Sequence, residues 1–271
     1  MSAWCQRASK LPAVSRALPP LDLHAHISPE ASARELEGLG AVVWAATRSQ
    51  AEYERVAARR DLATVWGVGC HPGLESAQRD FQPARFASLI EGTALVSEIG
   101  LDAGSKVPMD TQRQTFTGIL ELLVETPRVT SVHSAGATSG VLDCLERIAG
   151  PGVVLHWWLG DKAETERAVA LGCYFSINHA MTVRSSALSV VPIERLLVET
   201  DHPDGDRRSA RPRQPGAVHD VEEWLARMHG LTVAALRQQV WRNLSNLVGE
   251  AGVRHRLPGP VKKMLAVAET L

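Results

Sequence analysis

The strongest constraint on the fold of this chain is a regular alternation, from residue 20 onward, of short apolar runs with longer amphipathic stretches. Each apolar run is rich in Val, Leu, Ile or Ala and is short enough to be a strand buried on both faces. The runs are Leu21–His26, Ala41–Thr47, Ala63–Gly69, Thr93–Gly100, Val129–His133, Val153–His156, Cys173–Ile177 and Leu196–Asp201. Eight such strands separated by helices predict an α/β fold, a parallel sheet closed into a (β/α)8 TIM-type barrel.

The main competing architecture is an open, doubly wound sheet. Such a sheet usually carries a glycine-rich phosphate loop after its first strand, and here that place holds His24-Ala25-His26. The sequence contains no internal repeat or linker tract, so we predict one barrel domain over residues 20–271. Residues 1–19 are predicted to be a poorly ordered N-terminal extension.

Helix starts can be assigned between several of the apolar runs. Ser28, followed by Pro29, has the properties of an N-terminal cap for the first helix. Ser49, Asp161 and Thr232 are predicted to cap later helices in the same way.

Composition limits the range of functions and locations. The net charge of −1 provides no overall positive field of the kind that attracts nucleic acid, so any such contact must be local. No apolar run approaches the roughly 18 residues of a membrane-spanning helix, and no membrane partner is expected. The four cysteines are widely separated, which favours a reducing compartment. We expect a cytoplasmic protein.

Two histidines end the first predicted strand. His24 and His26 are two residues apart and therefore share a face of the strand, so both imidazoles can reach one ion. Asp22 has the same parity one layer deeper, where it is suited to orienting a ligand.

Further potential metal ligands end four other predicted strands: Glu98, His133, His156 and Asp201. In a barrel of this type the chemistry sits at the carboxyl ends of the strands, so these side chains should converge with His24 and His26. Imidazole together with carboxylate suits Zn²⁺, Mn²⁺, Co²⁺ or Fe²⁺. Because six ligands are too many for one catalytic ion with an open position, a pair of ions roughly 3.5–4 Å apart fits better.

At these positions the chain resembles the TatD family of metal-dependent deoxyribonucleases, a branch of the amidohydrolase-like barrels. The similarity covers roughly residues 21–250. It is carried by Asp22-Leu23-His24-Ala25-His26, Gly69-Cys70-His71-Pro72, Ser97-Glu98-Ile99-Gly100-Leu101-Asp102, Val132-His133-Ser134, Leu155-His156-Trp157, Leu197-Val198-Glu199-Thr200-Asp201 and Trp241-Arg242-Asn243-Leu244.

The resemblance implies a hydrolase that cleaves phosphodiesters in DNA, often from the 3′ end, with two divalent ions such as Mg²⁺, Mn²⁺, Zn²⁺ or Co²⁺. It implies that His24, His26, Glu98 and Asp201 hold one ion and that Glu98, His133 and His156 hold the other. Asp201 and Glu98 would be the catalytic residues, with Asp201 orienting or deprotonating the attacking water. His71 would contact a substrate phosphate. Some relatives are encoded in anti-phage gene clusters.

The departures from the family pattern concern the substrate side of the site. Gly73 stands where the family usually has a second histidine, and His202 stands where it has a small residue. After the histidine of the sixth strand, Trp157-Trp158-Leu159-Gly160 replaces a Cys or aromatic residue followed by Ser-Gly.

Other side chains near the strand ends are candidates for binding substrate. Arginine forks match phosphate oxygens, and Arg207, Arg208, Arg211 and Arg213 follow Asp201 in the next loop. Trp157 or Trp158 could stack on a base, with packing as the alternative for either.

Glu199 shares the strand parity of Asp201, so it should point into the barrel beneath the site and contact a ring N–H of a ligand histidine.

Two other functions are compatible with the pattern. A small-molecule hydrolase of the same barrel type often bridges its metals with a carbamylated lysine late in the fourth strand, whereas this strand carries Glu98 and the nearest lysine is Lys106. The second alternative is a non-catalytic subunit of a larger protein complex, for example one in anti-phage defence.

Overall fold

The computed structural model describes residues 18–148, 150–183, 186–206 and 213–271. It contains one eight-stranded parallel sheet whose strands are neighbours in chain order. The strands are β1 Leu21–Ala25, β2 Val42–Ala46, β3 Thr64–Val68, β4 Leu95–Gly100, β5 Val129–His133, β6 Val153–His156, β7 Tyr174–Ile177 and β8 Leu196–Val198. The predicted (β/α)8 barrel is therefore confirmed, and each predicted apolar run contains one strand.

The barrel is closed by backbone contacts just beyond the last strand. The N–H of Asp201 donates to the carbonyl of His24 at 2.8 Å, and the N–H of His26 donates to the carbonyl of His202 at 2.8 Å. These bonds place the end of β8 beside the end of β1, so that the first and last strands bring their polar residues to the same rim.

The described residues form ten α-helices, which lie mainly between the strands: α1 Ala33–Gly38, α2 Gln50–Glu54, α3 Glu75–Arg79, α4 Pro83–Ile90, α5 Met109–Glu125, α6 Thr138–Arg147, α7 Lys162–Ala170, α8 His219–Met228, α9 Val233–Glu250 and α10 Gly259–Thr270. Ser49, Asp161 and Thr232 cap α2, α7 and α9 as predicted. None of the helices in the described ranges is both long enough and apolar enough to cross a membrane.

The predicted cap at Ser28 is wrong, because the first helix begins one turn later. Ser32 caps α1 and forms a reciprocal capping box with Glu35. Ser28 instead contacts the side chain of Glu30 in a local turn. The capping box satisfies two backbone N–H groups, which is why the later start prevails.

Two segments depart from a simple strand–helix repeat. Between β7 and β8 the described residues form 3₁₀ helices at His179–Val183, Ser186–Val190 and Ile193–Arg195 in place of an α-helix. The second segment is the one before β1, where the carbonyl of Pro19 accepts the indole N–H of Trp241 in α9 at 2.8 Å. Residues 18 and 19 therefore pack on the barrel, while 1–17 lie outside the described residues.

Gly69, just after β3, lies between the ends of β2 and β4, the two strands that flank β3. The N–H of Glu98 donates to the carbonyl of Thr47 at 3.0 Å, and the N–H of Cys70 donates to the carbonyl of Glu98 at 3.0 Å. A Cβ atom on Gly69 would lie 2.0 Å from the Thr47 oxygen and 2.4 Å from the Glu98 nitrogen. The missing side chain is thus what allows the backbone of Glu98 to be held on both sides.

Gly69→Ala should lower the free energy of unfolding of the metal-free protein by about 1–3 kcal/mol, because overpacking forces the backbone apart. The matched control is Gly118→Ala in α5, where an added Cβ meets no atom within 4 Å. That variant should gain about 0.5–1 kcal/mol from the higher helix propensity of alanine. Urea denaturation measures both. Equal stability changes in the two variants would contradict the steric role of Gly69.

Candidate metal centre

The structure brings the six expected ligands together at the carboxyl ends of the strands. His24 and Glu98 lie within β1 and β4, His133 and His156 are the last residues of β5 and β6, and His26 and Asp201 follow β1 and β8. Five of them line a cavity of about 450 Å³, and the sixth, His24, is fully buried beside them. The six residues are far apart in the sequence, because they come from five different strands.

Glu98 is the centre of the cluster, and its two carboxylate oxygens face different partners. Its Oε2 atom lies 3.3 Å from Nε2 of His26 and 3.8 Å from Nε2 of His24. Its Oε1 atom lies 2.5 Å from Nδ1 of His133 and 2.8 Å from Nε2 of His156. A carboxylate in this arrangement can bridge two ions.

Asp201 completes the first of the two groups. Its Oδ1 atom is 3.6 Å from Nε2 of His24 and 3.8 Å from Nε2 of His26. In the second group, Nδ1 of His133 and Nε2 of His156 are 3.3 Å apart. Potential ligand atoms therefore surround Glu98 on two sides.

The outer nitrogens of two ligand histidines are bound by neutral groups. Nδ1 of His26 donates to the carbonyl of Ala46 at 3.1 Å, and Nδ1 of His24 lies 2.8 Å from the hydroxyl of Ser131. A neutral imidazole has one N–H, so a proton on the outer nitrogen leaves a lone pair on Nε2. In His26 that lone pair faces Glu98. His24 has the same arrangement when its Nδ1 donates to the Ser131 hydroxyl.

The other two ligand histidines face carboxylates on their outer sides. Nδ1 of His156 is 3.7 Å from Oε1 of Glu199, and Nε2 of His133 is 3.6 Å from Oδ2 of Asp102. Such partners fix the ring orientation of a metal ligand and increase its basicity.

His71 has the opposite arrangement. The backbone N–H of Gly73 donates to its Nδ1 atom at 2.8 Å, so the proton of the neutral ring must lie on Nε2, which is 3.4 Å from Glu98. Burial lowers the pKa of His71 to about 4, which keeps the ring neutral at pH 7. His71 is therefore a hydrogen-bond donor toward the cavity.

Two buried atoms in the cluster indicate that a cation belongs there. Nε2 of His24 and Oε2 of Glu98 have no hydrogen-bond partner among the described residues, although both are shielded from solvent. Buried polar atoms are normally satisfied, and a lone pair beside a carboxylate oxygen is a ligand pair for a divalent ion. His24, His26 and Glu98 form one group able to hold a metal, so the donor set fits such an ion.

Burial and the surrounding charges perturb both acidic groups of the cluster. Burial raises the pKa of the Glu98 carboxyl, but the neighbouring histidines outweigh this and hold it well below its ordinary value. Burial raises the pKa of Asp201 to about 8. The metal-free site therefore keeps Glu98 ionised while Asp201 has an increased affinity for a proton.

Asp22, expected to orient a ligand, accepts backbone N–H groups, including that of the ligand residue His24, and one hydroxyl group. Its Oδ1 atom accepts the N–H of Thr200 at 2.8 Å and that of His24 at 3.3 Å. Its Oδ2 atom accepts the N–H of Gly216 at 2.7 Å and the Thr200 hydroxyl at 2.6 Å. Asp22 thus ties β1 to the segment after β8.

Glu199 is buried beneath the site, with its Oε1 atom 3.7 Å from Nδ1 of His156, which is longer than a hydrogen bond. Its Oε1 atom accepts the amide of Asn178 at 3.1 Å and the N–H of Trp157 at 3.1 Å, and its Oε2 atom accepts the Ser176 hydroxyl. Together with the approach to His156, these contacts satisfy the buried carboxylate.

Sequence reasoning gave no role to Asp102 or Ser131. Asp102 lines the cavity, and its backbone is held by Gln112, whose side chain accepts the Asp102 N–H at 2.7 Å. The signal for Asp102 was its position four residues after Glu98, in the loop that follows β4. Ser131 carries no such signal, because an inward serine is ordinary in a strand.

The remaining predicted substrate contacts lie in different environments. Arg207, Arg208 and Arg211 are outside the described residues. Arg213 forms a two-point ion pair with Asp220, with distances of 2.7 and 3.2 Å, so its fork is bound by a carboxylate. Trp157 lines the cavity, whereas Trp158 is buried in the core.

Comparison with known proteins shows which family the chain matches. The model for the TatD related DNase family matches residues 21–249. The metal-dependent hydrolase YcfH of Escherichia coli K12 is 30% identical over 196 residues, which cover 68% of this chain and 73% of that relative. The 3′-5′ ssDNA/RNA exonuclease TatD of Shigella flexneri is 27% identical over 214 residues, covering 71% and 81% respectively.

A solved structure has the same fold. The TatD homologue YjjV of Escherichia coli superposes with a TM-score of 0.72 at 20% sequence identity, covering 83% of this chain and 97% of its own.

Metal binding should stabilise the protein, and Glu199 should contribute to it. At a free ion concentration 100 times the dissociation constant, the free energy of unfolding should rise by about 2.7 kcal/mol over that in EDTA. Glu199→Gln should weaken Mn²⁺ binding about 10- to 100-fold, because the ring of His156 loses its charged neighbour. Isothermal titration calorimetry measures the affinity.

Glu222→Gln is the matched control, since Glu222 is equally buried but pairs with Arg237 between α8 and α9. It should destabilise the fold while leaving Mn²⁺ affinity unchanged. If both variants bound Mn²⁺ as the wild type does, Glu199 would have no role at the metal centre.

Proposed function

Because this chain belongs to the TatD-related DNase family of metal-dependent hydrolases, we propose that it cleaves phosphodiester bonds at the 3′ ends of nucleic acid strands, using two divalent ions. The observation that carries the proposal is the pair of ligand groups that share Glu98. His24, His26 and Asp201 are assigned to one ion, and His133 and His156 to the other. Two adjacent ions suit in-line attack on phosphate.

The side chains have separate tasks in this reaction. Divalent ions bound here would neutralise charge on the phosphate and lower the pKa of the attacking water. Asp201 would accept the proton of that water, a role that fits its position at the cavity wall beside the first ligand group. The Nε2–H of His71 donates to a phosphate oxygen that does not take part in bond breaking.

The substrate class follows from relatives and from charge. The Shigella relative is named a 3′-5′ exonuclease for single-stranded DNA and RNA. The net charge of −1 provides little long-range attraction for a polyanion, so recognition rests on the cavity itself. A strand end that enters a recessed cavity suits an exonuclease better than an enzyme that grips a long duplex.

Asp201→Asn tests the proposed proton acceptor. The substitution keeps size and one oxygen but removes the charge, and loss of a general base typically lowers the rate about 10²–10⁴-fold. Since the pKa of Asp201 is raised on folding, its ionisation disfavours the metal-free fold above the unfolded-state pKa. The variant should therefore be at least as stable as the wild type in EDTA at pH 7. Single-turnover cleavage and urea denaturation measure the two effects.

The nuclease proposal itself needs a direct assay. End-labelled single-stranded DNA and RNA are incubated with the wild type in Mg²⁺, Mn²⁺, Zn²⁺, Co²⁺ or EDTA, with Asp201→Asn as the matched control. Shortening from the 3′ end with at least one ion, but not in EDTA, is expected. No cleavage of either polymer under any condition would refute the nuclease assignment.

A further inference from the structure

One wall of the metal cavity is apolar. Trp157, Leu159 and Ala135 line it beside the metal ligands. Leu159 is 51% exposed, although leucine gains free energy from burial. An exposed apolar surface inside a polar cavity is typical of a place where a ligand is bound.

The backbone of Trp157 is held in an unusual conformation. Its φ angle of 41° lies in the left-handed region, which is unfavourable for a bulky side chain. Its N–H donates to Oε1 of Glu199 at 3.1 Å, and the same oxygen lies 3.7 Å from the ring of His156. One buried carboxylate therefore fixes both a metal ligand and the apolar wall.

The two tryptophans that follow β6 differ in their exposure to the cavity. The indole N–H of Trp158 donates to Thr165 at 2.8 Å, and its ring packs edge-on against Phe175 with centroids 6.3 Å apart. Trp158 is thus a core residue with a satisfied polar atom. Trp157 is only partly buried: it packs against the hydrophobic core and also lines the cavity.

The apolar wall lies on a different part of the barrel rim from His71, the proposed hydrogen-bond donor to the phosphate. Trp157 and Leu159 follow β6, while His71 follows β3, three strands away in the eight-stranded ring. A ligand in this cavity of about 450 Å³ meets hydrogen-bond donors and metal ligands on one part of its wall and an aromatic surface on another. A nucleotide has the matching two-part chemistry, an anionic phosphate and a flat base.

We propose that Trp157 and Leu159 form a platform on which the terminal nucleobase of the substrate stacks while its phosphate lies at the metal centre. This inference rests on the proposed nuclease function and specifies its substrate. Stacking tolerates any base, because every base has a π-face.

Two five-nucleotide single strands of DNA provide the test, one ending at its 3′ side in thymidine and the other in a base-free tetrahydrofuran residue. Stacking on one aromatic residue corresponds to about 5- to 150-fold in affinity, so wild-type kcat/KM should be higher for thymidine by a factor in that range. This ratio should fall toward 1 in Trp157→Ala and persist in Trp157→Phe.

Leu159→Ala provides a second variant that does not disturb the core, and it should lower the ratio in part. Its matched control is Leu62→Ala, because Leu62 is 52% exposed but precedes β3, at the opposite end of the barrel. Leu62→Ala should keep the wild-type ratio. Fluorescence anisotropy of the same two strands bound to the Asp201→Asn protein gives the comparison without turnover.

A wild-type ratio near 1 would overturn the platform, and so would a ratio left unchanged by both Trp157→Ala and Leu159→Ala. Either result leaves the nuclease function intact. Failure of the wild type to cut both strands with every divalent ion refutes the nuclease function itself, so the two failures are distinguishable.

Discussion

The buried carboxylate of Glu98 is the interaction on which the rest of the site depends. Its side chain is only 1% exposed, and an unpaired charge in that position would cost several kcal/mol. The barrel offsets this cost by placing histidine rings next to both carboxylate oxygens. These rings come from β1, β5 and β6. Gly69 contributes as well, because the space it leaves free allows the carbonyl of Thr47, just after β2, to accept the backbone N–H of Glu98.

A second polar layer supports the first from inside the barrel. Asp22 binds backbone N–H groups across the seam between β1 and β8, and Glu199 couples the ring of His156 to the backbone of Trp157. Asp201 and Trp157 are the two residues other than glycine with left-handed φ in the described ranges, at 47° and 41°. Such conformations persist only where the surroundings impose them, and they concentrate at functional sites. Both residues line the cavity.

The sequence was informative where a physical pattern is local. Buried parallel strands are continuous apolar runs, so all eight strands and the residues at their ends could be predicted, and with them the convergence of His24, Glu98 and Asp201. Contacts that depend on the third dimension could not. The placement of Asp102 behind His133 joins residues near the ends of two different strands. The ion pair of Arg213 with Asp220 and the direction of the N–H of His71 depend on how the backbone turns between near neighbours. Between β7 and β8, Asn178 accepts the N–H of Met181 at 3.2 Å, as the cap of an α-helix would, so this residue does not distinguish a 3₁₀ segment from a helix.

The proposed bridging of two divalent ions by Glu98 can be tested with Mn²⁺. Equilibrium dialysis of the metal-free protein counts the ions bound, and electron paramagnetic resonance of the same sample reports whether they are coupled. If Glu98 bridges two ions, the protein should bind two Mn²⁺ per chain and give an exchange-coupled spectrum, as expected for ions about 3.5–4 Å apart. A single Mn²⁺ at saturation, or two that give the spectrum of isolated ions, would contradict it.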